Sequence, residues 1–433
     1  LYGKIDQFAH LSICFSSKGV FMPLIRPFAG LRPLPELAAQ IIAPPYDVLS
    51  SAEARQRAQD KPDSFLHISK PEIDLDPSIS AYDPRVYAKG AQNLQHLIAQ
   101  RRLQQDAQPY YYLYRLIMGE HQQTGIVAIA NVADYDTNRI RKHEFTRPDK
   151  EDDRVHHIDV LNAQTGPVFL TYPHHAVIDD LVATLTAQSP VINVTAEDGI
   201  VHTLWVVDQS ADIALITQTF DQMPNLYIAD GHHRSAAASR VAAQRKALNA
   251  QHTGEESYNY FLSVVFPDNQ MQILDYNRVI QDLNHLTTEQ LLQEISKNFT
   301  VTPSYTPVKP QQAGEFGMYL PGQWYHLRIH PEQIPSDPVA SLDVSLLADQ
   351  LIAPILGITD PRRDKRIDFV GGIRGLAELE KRVNSGEMAV AFALHPTSLA
   401  ALMAVADAGQ VMPPKSTWFE PKLADGMVSH LLS

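Results

Sequence analysis

The chain has 433 residues, 44% of them hydrophobic and 20% charged, an ordinary globular composition with length enough for more than one core. Its formal net charge of −13 argues against a protein that tracks a phosphate backbone, because such domains are usually basic, so no nucleic-acid partner is expected. No apolar run approaches the roughly 20 residues of a membrane-crossing helix, and the single cysteine, Cys14, excludes both an intramolecular disulfide and a cysteine-based metal centre, in keeping with a reducing, cytoplasmic setting.

The chain opens with Leu1 instead of Met, and Met22 begins a proline-punctuated stretch; residues 1–21 are read as a leader or cloning-derived segment. The apolar run His10 to Cys14 is too short and too mixed for a secretory signal. Ser50 to Gln59 predicts a helix capped by Ser50 or Ser51, and Pro84 to about Gln105 a second, with Val86, Ala91, Leu94, Leu97 and Ile98 on one stripe. Tyr110 to Met118 and Thr124 to Val132 predict a hairpin. Arg139 to His157 is charge-dense and is expected to stay outside the core. Val168 to Tyr172, Leu204 to Val207, Tyr260 to Phe266 and Met271 to Tyr276 read as strands, and Thr288 to Lys297 as a helix. Beyond them, Phe316–Tyr319 and Trp324–Ile329 should pair, followed by helices at Leu342–Ile355, Arg374–Asn384 and Thr397–Ala408 and a strand at Met388–Leu394. Strands and helices mixed without regular alternation predict an α+β protein of several domains.

The sharpest local unit is Leu226 to Leu248. A short apolar strand, Leu226–Ala229, meets Asp230-Gly231-His232-His233-Arg234, and an Ala- and Arg-rich helix is expected from Ser235. A helix start exposes unpaired backbone N–H groups and the positive end of the helix dipole, which suits an anion such as phosphate. Gly231 allows close backbone approach, Arg234 adds a planar fork, and the histidines offer donors or a proton carrier near neutral pH. The bland alternative is a turn before a solvated His and Arg face.

A second cluster is His143-Glu144-Phe145-Thr146 with Glu151-Asp152-Asp153-Arg154 and His156-His157. A carboxylate here is suited to act as general base or to hold Mg²⁺, against the reading of a charged surface loop. Zinc is disfavoured, because His143-Glu144 lacks the second His four residues on that a metalloprotease helix supplies. The pairs His156-His157 and His174-His175 are weaker metal candidates. A third cluster, Met412-Pro413-Pro414-Lys415-Ser416-Thr417, places a Lys and two hydroxyls after stiffening prolines. Gly371-Gly372-Ile373-Arg374-Gly375 lacks the ending of a P-loop and is read as a turn before a helix.

Together with Pro44-Pro45-Tyr46-Asp47-Val48, Gly166-Pro167-Val168-Phe169 and Asp364 to Gly372, these clusters resemble the bacterial domain-of-unknown-function family 1015, over essentially the whole chain from Met22. A more distant similarity is to free-serine kinases of the ParB/sulfiredoxin-like superfamily. It rests on three blocks in the same order: His143-Glu144, Asp230 to Arg234, and Gly386 to Phe392 through Pro413-Lys415-Ser416-Thr417. Where the kinases carry Arg and His after the paired hydroxyls, this chain has Trp418 and Phe419. A sulfiredoxin would need a cysteine where His232 stands, and a partition protein a basic helix-turn-helix.

The resemblance implies a ParB/sulfiredoxin-like strand-turn-helix core at 191–310, an N-terminal α+β region at 22–190 carrying the His-Glu motif, and a C-terminal α+β region at 311–433 closing the site. It implies a kinase moving a phosphoryl group from ATP or ADP, with Mg²⁺, to L-serine or a similar small alcohol. Catalysis would then fall to Glu144, Asp230, His233 and Arg234, nucleotide binding to Gly231, His232, His233 and Arg234, and substrate binding to His143, Asp230, Lys415, Ser416 and Thr417. Two other readings stay open: a nucleotide-binding regulator or NTP hydrolase with no small-molecule acceptor, and a non-enzymatic metabolite sensor. The sequence sets no oligomeric state.

Overall fold

The computed structural model describes residues 22–432, so the expected leader at 1–21 lies outside the described residues. The main sheet has nine strands: β1 (Ile25–Arg26), β2 (Tyr111–Met118), β3 (His121–Asn131), β4 (Ile140–Arg141), β5 (Val168–Tyr172), β6 (Ile192–Thr195), β7 (Val201–Val207), β8 (Leu226–Asp230) and β9 (Tyr260–Pro267). They run in the order β4-β8-β5-β9-β3-β2-β7-β6, with β1 also pairing β3. Side chains alternate across a strand. Tyr111, Leu113, Ile126 and Ala128 therefore enter one apolar core, and Tyr112, Tyr114, Val127 and Ile129 enter another on the opposite face. Burial on both faces explains why β2, β3 and β9 read as near-continuous apolar runs.

A second sheet, antiparallel throughout, joins β10 (Tyr276–Ile280), β11 (Phe299–Ser304), β12 (Glu315–Leu320), β13 (Gln323–Ile329), β14 (Ile367–Gly371) and β15 (Val390–Leu394) in the order β11-β13-β12-β15-β10-β14. The protein is thus α+β. The expected boundary at 190 falls between β5 and β6 of the main sheet, and that at 310 between β11 and β12 of the other.

Among the described residues, no helix is long and apolar enough to cross a membrane. The helix at Ser51–Ala58 carries a capping box between Ser50 and Glu53, as its sequence suggests. The helix begun at Pro84 stops at Ala99, short of the expected Gln105, because Arg101 takes a left-handed turn and Leu103–Gln105 pairs with Leu31–Pro33.

The larger correction concerns Arg139 to His157. Residues Pro148–Leu161 form a helix, α1, that buries Asp153, Arg154, Val155 and His157. Its polar inner face is tolerated because it is paired. Tyr87 donates to Asp153 Oδ1 at 2.9 Å, the Arg154 Nε and terminal N–H donate to Asp153 Oδ2 at 2.9 and 2.6 Å, and His157 Nε2 lies 2.9 Å from the Ile68 carbonyl oxygen. Val155 and Ile158 of α1 pack against Ala237 and Val241 of the helix α2 (His232–Leu248) and against Leu432.

The end of the chain returns to its start. Ala43 and Asp425 exchange backbone hydrogen bonds of 3.1 and 2.9 Å, and Leu31 and Ser429 exchange bonds of 2.9 and 2.7 Å. His430–Leu431 then pairs with Ala163–Gln164.

Candidate functional site

The parallel pairing of β4 with β8 sends both strands out at the same end of the sheet. His143 and Glu144 follow β4, and Asp230-Gly231 closes β8, so two motifs far apart in sequence emerge side by side. β5 runs antiparallel to β8 and brings Gly166-Pro167 to the same end. The β8–β5 register shifts between Ile228 and Asp230, a bulge that re-aims Asp230.

Gly231 has φ +99°, a conformation L side chains rarely adopt, and it caps α2, which begins at His232 and not at the expected Ser235. A Cβ on Gly231 would lie 3.1 Å from Arg234 Nε and 3.3 Å from the Val168 Cα. The N–H groups of His232 and His233 have no carbonyl one turn back within the helix and are therefore available to an anion.

Charge is dense here. Asp230 accepts from the Gly231 N–H at 2.9 Å, and its other oxygen lies 3.3 Å from Lys422 Nζ and 3.5 Å from the Arg234 guanidinium. Burial alone would raise the Asp230 pKa, but Lys422, Arg234 and His232 more than offset it and hold the carboxylate ionised. Arg234 is buried, donates to the Pro167 carbonyl and sits 3.7 Å from Asp47; Asp47 and Asp230 keep it charged against the desolvation.

The two histidines diverge. His233 Nε2 accepts from the Arg147 backbone N–H at 3.0 Å, whereas His232 turns inward onto His143 with ring centroids 4.4 Å apart at 84°. His143 is 2% exposed, and burial brings its pKa down to about 4; burial and His143 hold His232 well below its ordinary value too. The Glu144 carboxylate lies 3.8 Å from His232 Nδ1, with its side chain 46% exposed. Burial and the Asp230 charge raise the Glu144 pKa, and Lys415 pulls it the other way. Among the described residues, His143, Glu144 and His232 are the one group that could hold a metal ion, with ligand atoms within 4.8 Å of one another. Of the other histidine candidates, His157 bonds to the Ile68 carbonyl, His156 packs against Tyr87, and His174 bonds to Asp268 at 3.0 Å.

The third cluster reaches the same place, since the Met412 N–H donates to the His143 carbonyl at 2.8 Å. Lys415 is exposed, with φ +62°, and its carbonyl accepts from buried Arg278 at 2.9 Å. The Ser416 hydroxyl turns back to donate to the Pro413 carbonyl at 2.6 Å, so it braces the loop from within. Thr417 is half-buried, immediately before a short strand, Trp418–Glu420, paired with Gln272–Leu274. Glu151 and Asp152 pair with Arg240 at 2.9 and 2.8 Å, and Glu151 also accepts from the Thr146 hydroxyl at 2.7 Å.

Four residues join the cluster without having been singled out as site residues: Asp47, Arg154, Lys422 and Asp425. Arg154 lies over the Tyr46 ring at 3.9 Å. Asp425 is 1% exposed, and neither of its carboxylate oxygens has a hydrogen-bond partner. It lines a small cavity of about 20 Å³, room for one water, together with Tyr46, Arg154, Thr165, Gly166 and Arg234. Burial and the Asp47 charge bring its pKa up to about 7, against the pull of Arg234 and Arg154.

A family model described as "Protein of unknown function (DUF1015)" matches residues 25–345, and the chain belongs to that family. The blocks at Asp364–Gly372 and Pro413–Thr417 lie beyond the matched residues. No curated protein sequence matches. Among solved structures, the chain is similar to SbnI with a C-terminal truncation from Staphylococcus aureus, at 12% identity and a TM-score of 0.36, covering 69% of this chain and 85% of that one. It is also similar to a free serine kinase in complex with AMP, at 12% identity and TM-score 0.33, covering 68% and 86%. A conserved hypothetical protein from Pyrococcus furiosus matches at 13% identity and TM-score 0.32, covering 69% and 93%.

Proposed function

We propose that this DUF1015 member is a phosphotransferase that moves the terminal phosphoryl group of ATP or ADP to the hydroxyl of L-serine or a similar small alcohol. The observation that carries the reading is the convergence of a half-exposed Glu144 with the start of α2, where Arg234 and Lys422 are held charged beside Asp230. A helix start with flanking cations suits the phosphates of a nucleotide, and the carboxylate beside it suits a hydroxyl proton.

In this reading the alcohol oxygen attacks the terminal phosphorus while its proton passes to Glu144. The bond from phosphorus to the bridging oxygen breaks, and the shortened nucleotide leaves. The N–H groups of His232 and His233 and the Arg234 guanidinium take up charge on the transferred group, the kind of stabilisation on which phosphoryl transfer mainly depends. Lys415, whose charge pulls the Glu144 pKa down, closes the exposed side next to it. Asp230 and Glu144 raise one another's charge repulsion, which a Mg²⁺ ion accompanying the nucleotide would relieve by neutralising negative charge.

Phosphorus NMR on the protein with Mg²⁺, ATP or ADP, and L-serine tests the proposal against a control without serine. A serine-dependent phosphomonoester signal is expected, and Glu144→Gln should abolish it while leaving nucleotide binding largely intact. Full turnover in that variant would falsify the role of Glu144. Nucleotide loss with water as the only acceptor would replace the kinase reading with an NTP hydrolase.

A further inference from the structure

We infer that His143, His232 and Glu144 form a binding site for a transition-metal ion of the Zn²⁺, Co²⁺ or Mn²⁺ class, distinct in chemistry from the Mg²⁺ that accompanies a nucleotide. Two imidazole nitrogens and one carboxylate oxygen make a mixed donor set, whereas Mg²⁺ is held by oxygens. The ligand atoms already lie within 4.8 Å of one another, close enough to converge on one ion with small rotamer changes.

The state of His143 is the independent observation. Nδ1 of its ring is buried with no hydrogen-bond partner. A buried acceptor with nothing to accept from is costly, and an ion at Nδ1 removes that cost. His232 offers its Nε2 lone pair, held only by the His143 backbone N–H at a long 3.4 Å, while its Nδ1 stands 3.8 Å from Glu144.

The geometry also explains why a metalloprotease-like helix spacing is absent. The second histidine comes from 89 residues away, delivered by the parallel pairing of β4 with β8. Glu144, with its side chain 46% exposed, leaves the site open to solvent on one side, so an ion can enter and keep positions for water or a small ligand.

The inference stands on this geometry and does not depend on phosphotransfer. If the phosphotransfer reading also holds, Glu144 cannot ligate an ion and accept a hydroxyl proton at once, so Zn²⁺ should lower turnover.

The test uses the metal alone, without nucleotide or serine, so that its failure and the failure of the kinase reading are separable. Metal-stripped full-length protein is titrated with Co²⁺, followed by visible absorption, and with Zn²⁺, followed by calorimetry. One equivalent of each is expected to bind, with Co²⁺ bands showing nitrogen ligation. His143→Gln and His232→Gln should each weaken binding by about tenfold or more, and His174→Ala, on a surface histidine, should leave it unchanged. Glu144→Gln, at a half-exposed position, should weaken binding too and serves if the histidine variants fail to fold. Absence of binding by both ions would overturn the inference, as would affinity unchanged in Glu144→Gln and the histidine variants, or affinity lost in His174→Ala.

Discussion

Replacing Asp425 by Asn should stabilise the protein, and increasingly so as the pH rises. The carboxyl sits in the small cavity with neither oxygen hydrogen-bonded, and its pKa stands at about 7 against an ordinary 3.8. The folded state thus holds this proton more tightly than the unfolded chain does. The favourable contribution is fully present below the unfolded value and is lost as pH rises through the folded one. The gap of about 3 between the two values, at about 1.4 kcal/mol for each, amounts to about 4 kcal/mol once the group is ionised. Asn has the same shape and no charge, so it removes that loss. Urea denaturation of the two proteins across the pH range should give equal stabilities at about pH 3.5, an advantage for Asn of about 2 kcal/mol near pH 5, and about 4 kcal/mol near pH 8. Comparing the two proteins at each pH cancels the opposite trend from buried neutral histidines such as His202 and His430, whose pKa values of about 4 make acid destabilising. A difference that stays constant with pH would refute the reasoning, as would a less stable variant near pH 8. The second result would mean that attraction to Arg154 and Arg234 outweighs the burial of the charge.

Two further substitutions probe the site's frame. Gly231→Ala places a side chain at φ +99° against the Val168 backbone and should cost about 1–3 kcal/mol in thermal or urea unfolding and, under the proposed phosphotransfer, should lower nucleotide affinity because the α2 start is displaced. Lys422→Met removes the cation 3.3 Å from Asp230 while keeping the apolar stem, and a stability loss of about 1–3 kcal/mol is expected in urea denaturation near neutral pH. No loss there would mean that Arg234 alone satisfies Asp230.

Where the sequence carries local signals, it matched the structure closely. The apolar strand, Asp-Gly turn and Ala-rich helix around Asp230 form a unit whose parts are all within reach of one another, and only the helix start shifted, from Ser235 to His232. The helix at Pro148–Leu161 was also signalled, by Pro148 in its first turn with Asp149 and Glu151. Its charge density concealed it, because Asp153, Arg154 and His157 are buried only through partners at Tyr87 and Ile68 that come from other parts of the chain. Long-range pairing accounts for the rest. Asp47 and Arg154 lay within stretches that carried the family resemblance, yet nothing in their neighbourhood marks them as neighbours of Arg234. Lys422 and Asp425 carry no local signature at all, and long-range pairing such as that of Asp425 with Ala43 brings them in. Likewise, His143 and His232 meet through a two-residue parallel pairing that no spacing rule would reveal.

That tail has a consequence for the order in which the protein is made. A ribosome delivers Asp47, Glu144 and Arg234 well before Lys422 and Asp425, and the last two reach the cluster only when the tail pairs with Ala43 and Leu31. Until then Asp230 lacks its Lys422 partner, and Ala43 and Leu31 lack their backbone partners. The charge cluster therefore stays unfinished from the synthesis of Arg234 until Lys422 and Asp425 have left the exit tunnel and paired with the N-terminal region.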